Sequence, residues 1–154
     1  MRTTTREPLS SSDARYAILS RHDELRGLVS ETIRYADVAR HSDCDFEPLR
    51  AHARELYRAF QTHMDFEERI LGAALRDVIG YGAVLHAQIE EGHERQRATL
   101  ASAMSALEPE GLSSTSLVEN VCTVADSLLH DLTDEEKCLL NADLDAIAID
   151  SRGG

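Results

Sequence analysis

Apolar residues recur at spacings of three and four in four separate stretches of the chain, the period of an amphipathic helix. The first stripe, Ile18, His22, Leu25, Val29, Ile33 and Ala36, predicts a helix over 13–40. The second, Leu49, His52 or Ala53, Leu56, Phe60, His63, Glu67 and Ile70, predicts one over 47–72. The third covers 83–107 with His86, Ile89 or Glu90, His93, Gln96 or Arg97, Leu100, Met104 and Leu107. The fourth covers 115–142 with Leu117, Val121, Val124, Leu128, Leu132, Glu135 and Leu139.

Start and stop signals lie between these stretches. Ser12 and Asp13 offer side-chain oxygens to the free N–H groups of a first turn, and Pro48 suits the first turn of the second helix. Three glycines between Gly72 and Gly82 predict a turn, with a short helix at 73–78. Glu108-Pro109-Glu110-Gly111 breaks the third helix, and Ser114 or Ser116 opens the fourth, with Glu119 placed as in a capping box. Four amphipathic helices, short connections and no strand alternation predict an all-α, up-down-up-down four-helix bundle over 13–142. Residues 1–12 read as a disordered lead-in and 143–154 as a flexible polar tail, and no internal repeat beyond the helices stands out.

Ligand-type residues interrupt every stripe. They are His22 on the first helix, His63 and Glu67 on the second, Glu90 and His93 on the third, and Asp131 and Glu135 on the fourth. Ionisable groups on an apolar face are costly unless paired or ligated. His63 and Glu67 are four apart, so they point the same way from one helix. His22 and His93 fall early in their helices, and Glu67 and Glu135 late in theirs. In an antiparallel bundle these positions meet at one end, at about the same level. Histidines and carboxylates together suit a divalent metal such as iron, manganese or zinc.

Two choices stay open at this point. On the third helix Glu90 and His93 are preferred as ligands, with His86 as a group behind a ligand or on the way in. On the fourth, a period of about 100° per residue groups Asp131 and Glu135 with the leucines and puts His130 on a polar face. A π-bulge would change that phase.

Charge and cysteine content narrow the class. The 154 residues carry 28 acidic and 16 basic side chains, a net charge of -12, which argues against nucleic acid or an anionic membrane as partner. No apolar run approaches the ~20 residues of a membrane span, and the polar N-terminal stretch has no apolar core for a secretory signal. Three cysteines without a CxxC make a disulfide framework a poor expectation, so a reducing cytoplasm is the expected compartment. Cys138 is expected to be a small core residue.

Over roughly residues 14–140 the chain resembles the hemerythrin-like (HHE cation-binding) proteins. The likeness rests on His22 followed by Asp-Glu-Leu-Arg, on His63-Met-Asp-Phe-Glu67-Glu68, on Glu90-Glu-Gly-His93-Glu-Arg-Gln-Arg, and on Asp131 to Glu136 followed by Lys-Cys-Leu-Leu. It implies a four-helix bundle around two non-haem iron ions bridged by carboxylates, Glu67 and Glu135. The family pattern has a further histidine where Ile89 stands here. The resulting set (His22, His63, His93, Glu67, Glu90, Asp131 and Glu135) is richer in carboxylate than an oxygen carrier's and favours reducing oxygen over releasing it. The expected function is binding or reducing oxygen, peroxide or a related small oxidant, or sensing iron or redox state. A metal-stabilised sensor or scaffold working through a protein partner is the alternative, and a metal-free interaction module the third.

Overall fold

The structure is a computed structural model that describes residues 11–41, 46–75, 81–108 and 113–141. Four helices account for nearly all of them: α1 (Ser11–Arg40), α2 (Glu47–Leu75), α3 (Tyr81–Leu107) and α4 (Ser114–Asn141). Each helix packs on its neighbours in sequence, and α4 closes the ring against α1. The chain is an up-down-up-down four-helix bundle, with no strand among the described residues.

The helix ends depart from the sequence expectation in physically readable ways. The side chain that caps α4 is Ser113, one residue before the expected serines: its Oγ accepts a hydrogen bond from the Ser116 backbone N–H at 3.2 Å. That bond satisfies one of the donors a first turn leaves free. The turn expected from Gly72 onward is also later than predicted, because α2 continues through Gly72 to Leu75. At Gly72 the helix passes close to α3, where an added Cβ would lie 3.6 Å from the His86 ring. The short helix expected at 73–78 is therefore in part the last turn of α2; residues 76–80 lie outside the described residues, as do 1–10 and 142–154 of the expected lead-in and tail.

The core follows the stripes. Leu25, Val29 and Ala36 of α1 meet Leu49, Ala53, Leu56 and Phe60 of α2, Leu100 and Leu107 of α3, and Leu117, Val121, Leu128 and Leu132 of α4, all buried. Each fully buried leucine contributes about 1.5–3 kcal/mol. Tyr57 is buried among them, and burial pushes its phenol up to about 12, so it stays neutral. Cys138 departs from its expected place in the core and is exposed. No described helix is long and apolar enough to cross a membrane.

The apolar stripes give way at one end of the bundle, where early α1 and α3 meet late α2 and α4. There the buried polar residues are His22, His63, Glu67, His93 and Gln96.

Candidate metal centre

Glu67 stands at the middle of this end and is fully buried. Its Oε1 lies 2.8 Å from His22 Nε2, and its Oε2 lies 3.0 Å from His93 Nε2. Glu135 faces it from α4 in the same sense, with Oε1 3.7 Å from His22 Nε2 and Oε2 3.5 Å from His93 Nε2. Each carboxylate thus turns one oxygen toward α1 and the other toward α3, the disposition of a group that can bridge two ions. His63 joins from one turn below Glu67, its Nε2 against Glu67 Oε1, and its ring meets the His22 ring edge-on with centroids 4.8 Å apart. One ligand atom each from His22, His63, Glu67 and Glu135 lies within 4.8 Å of the others.

The two outer histidines are held from behind in matching fashion. His22 Nδ1 lies 3.1 Å from Glu136 Oε1, and Arg26 grips the same carboxylate through both terminal nitrogens at 2.6 Å each. His93 Nδ1 lies 3.3 Å from Glu68 Oε1, and Arg97 holds Glu68 at 2.8 and 3.0 Å while also reaching Asp65. Each arginine follows its histidine by one turn, and each supporting glutamate directly follows a central one. The guanidinium groups keep the Glu68 and Glu136 carboxyls below their ordinary range. A carboxylate on Nδ1 fixes the ring and turns Nε2 inward as the ligand atom.

This arrangement shows an internal correspondence that composition conceals. His22 and Arg26 of α1 match His93 and Arg97 of α3; His63, Glu67 and Glu68 of α2 match Asp131, Glu135 and Glu136 of α4. The supports cross over, since the α1 histidine rests on the α4 glutamate and the α3 histidine on the α2 glutamate. The one change of residue type in this set puts Asp131 where His63 stands in the other half.

Electrostatics divide the two central carboxylates. Burial alone would push Glu67 up, but hydrogen bonds from Glu135 and the three histidines outweigh it and hold Glu67 well below the usual range. Glu135 goes the other way: burial, together with the proton it shares with Glu67, pushes it to about 8. Burial opposes a charge on His93, yet the paired carboxylates raise it to about 10, and His22 is raised for the same reason. Without metal the cluster therefore stores protons in the places where cations would sit.

The remaining expected ligands lie outside the tight group, Glu90 well away from it and Asp131 at its edge. Glu90 is 53% exposed on the outside of α3, with His86 Nε2 3.6 Å away. Ile89 takes the inward place beside His93 and is buried. Asp131 is half-buried at the edge of the cluster, where Gln96 Nε2 donates to it at 3.3 Å and burial pushes its carboxyl up. His130 is 74% exposed and pairs with Asp134 at 3.1 Å. α4 is regular α-helix throughout, so no bulge turns His130 inward. Sequence reasoning gave no role to Glu68 and Glu136. The available signal was the doubled glutamate at Glu67-Glu68 and Glu135-Glu136, set against an arginine one turn after each histidine.

The donor set fits a metal on its own chemistry. His63 Nδ1 and Glu135 Oε1 are buried without a hydrogen-bond partner, a costly state for polar atoms that ligation would relieve. A cavity of about 230 Å³ between α3 and α4 reaches the cluster at His93, Asp131 and Glu135. No family model matches the chain, and no curated protein or solved structure matches it either.

Proposed function

We propose that the protein is a hemerythrin-like, non-haem di-metal protein, with iron as its metal, that binds or reduces oxygen, peroxide or a related small oxidant in the cytoplasm. The observation that carries this reading is the pair of buried carboxylates, each offering one oxygen to the His22 side and the other to the His93 side. His22 and His63 would hold one ion, His93 and Asp131 the other, and Glu67 and Glu135 both. When bound, iron supplies electrons and open coordination positions to a small oxidant. The protein's part is to present neutral Nε2 atoms, brace the His22 and His93 rings through Nδ1 against Glu136 and Glu68, and exclude bulk water from Glu67.

A second reading has an observation of its own. His63 Nδ1 and Glu135 Oε1 are buried without a hydrogen-bond partner and would gain from a bound ion, which suits a sensor whose occupancy is read by a partner protein. One experiment separates these readings. Protein expressed with iron supplementation is analysed for metal, then mixed with peroxide. About two iron ions per chain with peroxide consumption supports the first reading. Bound iron with no consumption supports the sensor. Less than one transition metal per chain, unchanged in His63→Ala, overturns both and leaves a metal-free helical module.

A further inference from the structure

At the level of the cluster the bundle has four seams, and three are covered by an arginine side chain. Between α1 and α2 the Arg21 guanidinium lies over the Phe66 ring at 3.5 Å. Between α2 and α3 Arg97 clamps Glu68 and Asp65. Between α1 and α4 Arg26 clamps Glu136. The fourth seam, between α3 and α4, has no such arginine cover; it holds the cavity, on whose wall Gln96 donates to Asp131 at 3.3 Å.

Carboxylates outnumber cations at the mouth of that cavity, where Asp131 and Asp134 face Arg95. Asp134 stands at the exposed rim, Asp131 half-way in, and Glu135 at the floor beside His93. The lining holds one guanidinium, Arg95, which is paired with Glu91 at 3.7 Å. The floor ends on Glu135 Oε1, a buried oxygen without a hydrogen-bond partner. A mouth of net negative charge concentrates cations and speeds their arrival.

Gly92 lies in the wall directly before His93. A glycine inside a helix costs about 0.5–1 kcal/mol relative to alanine, so its presence in the middle of α3 needs a reason. Its backbone is ordinary helix, and an added Cβ would meet only Arg95 Nη2, at 3.9 Å. Neither strain nor crowding requires glycine there, whereas any side chain would project beside the cavity.

We propose that the α3–α4 cavity is a cation-selective opening through which divalent metal ions load and leave the buried centre, with Asp134 drawing them in, Asp131 relaying them and Gly92 keeping the passage clear. This rests on the metal reading above and adds the route and its charge selectivity. It assigns positioning roles to Asp134 and Gly92, neither of which holds the bound ion.

The test is the rate of cobalt(II) uptake by the chelator-stripped full chain, followed by visible absorption after rapid mixing, with affinity measured separately at equilibrium. Gly92→Leu and Gly92→Phe are expected to slow uptake about tenfold or more. Asp134→Lys should slow it about tenfold at low salt and less at high salt. All three should leave the equilibrium stoichiometry intact. Gly27→Leu serves as the control, since Gly27 lies on an exposed part of α1 with nothing within 4 Å of an added Cβ; its uptake should match the unaltered protein's. Unchanged rates in Asp134→Lys and in whichever Gly92 variants fold overturn the route while leaving the metal reading standing. No cobalt uptake by the unaltered protein overturns the metal reading and the route with it.

Discussion

The two halves of the bundle repeat one plan and differ in one ligand and in access. In the α1–α2 half, His22, His63 and Glu67 are all buried, and the seam beside them is covered by Arg21 on Phe66. In the α3–α4 half, His93 is buried but Asp131 and Glu135 are partly exposed, and the seam is open. Both halves hold the histidine from behind with a carboxylate and an arginine. The support is thus common to both, and the differences are confined to the ligand one turn from the central glutamate and to access. An antiparallel bundle allows this because each helix face contributes its own side chains at a shared level while the apolar core below is unaffected.

The sharpest way to break the comparison is to replace the two central carboxylates one at a time. Glu67 is ionised and faces three histidines; Glu135 holds a proton near neutrality. Glutamine imitates a protonated carboxyl, so at pH 7 in chelator Glu67→Gln should lose about 3 kcal/mol of unfolding free energy, as when one partner of a buried charge pair is removed. Glu135→Gln should change it by less than about 1 kcal/mol. Urea unfolding measures both. Equal losses would mean that the halves are electrostatically alike.

The supporting glutamates come next. Groups that orient a ligand from behind are typically worth about 10–100-fold in metal affinity. Glu136→Gln and Glu68→Gln should each weaken cobalt(II) binding by that order, without lowering the number of ions bound at saturation. Calorimetric titration reads both quantities. A loss at Glu136 and none at Glu68 would show that only the α1–α2 half binds.

These supports also mark what was legible in the sequence. The stripes located all four helices, because 3.6-residue periodicity is a property of each segment alone. The same stripes carried His22, His63, Glu67, His93 and Glu135, which the structure brings together. Glu90 was harder: it and Ile89 lie on opposite sides of the His93 direction, about 60° and 40° away, so only one can face inward. Apolar burial decides for Ile89. Glu68 and Glu136 were not legible, since their roles depend on which helix lies alongside, a fact of packing and not of period. The correspondence between the halves was hidden for the same reason, resting on a few positions scattered through two long helix pairs.

A smaller effect follows from proton storage. His93 is raised from 6.5 to about 10, so its contribution to stability is full below pH 6.5 and is lost as pH rises toward 10. Glu135 is raised from 4.5 to about 8, so its contribution is full below pH 4.5 and gone above 8. Glu67 is lowered, so its contribution is present above 4.5 and is lost only on acidification. The chelated protein should therefore melt several degrees lower at pH 9 than at pH 6. Metal binding, which displaces the same protons, should strengthen over that range. Melting curves at the two pH values, with and without cobalt(II), check both signs. A metal-free protein that is more stable at pH 9 would remove the stored protons from the account.

The smallest effect separates access from folding. Gly27 and Gly92 both sit inside long helices, and neither is crowded: an added Cβ meets nothing at Gly27 and only Arg95 Nη2, at 3.9 Å, at Gly92. Alanine loses less chain entropy than glycine on entering a helix, so both Gly27→Ala and Gly92→Ala should stabilise the protein by about 0.5–1 kcal/mol. The methyl group is too small to close a cavity of about 230 Å³, so cobalt(II) uptake should stay within about twofold of the unaltered rate in both. Equal stabilisation would mean that folding alone favours alanine at Gly92 as much as at Gly27, and that what the α3–α4 opening excludes is a side chain larger than a methyl group. A Gly92→Ala variant less stable than the unaltered protein would mean instead that Gly92 is needed by the packing of α3, and the contrast between the closed and open seams would then lose its functional meaning at that residue.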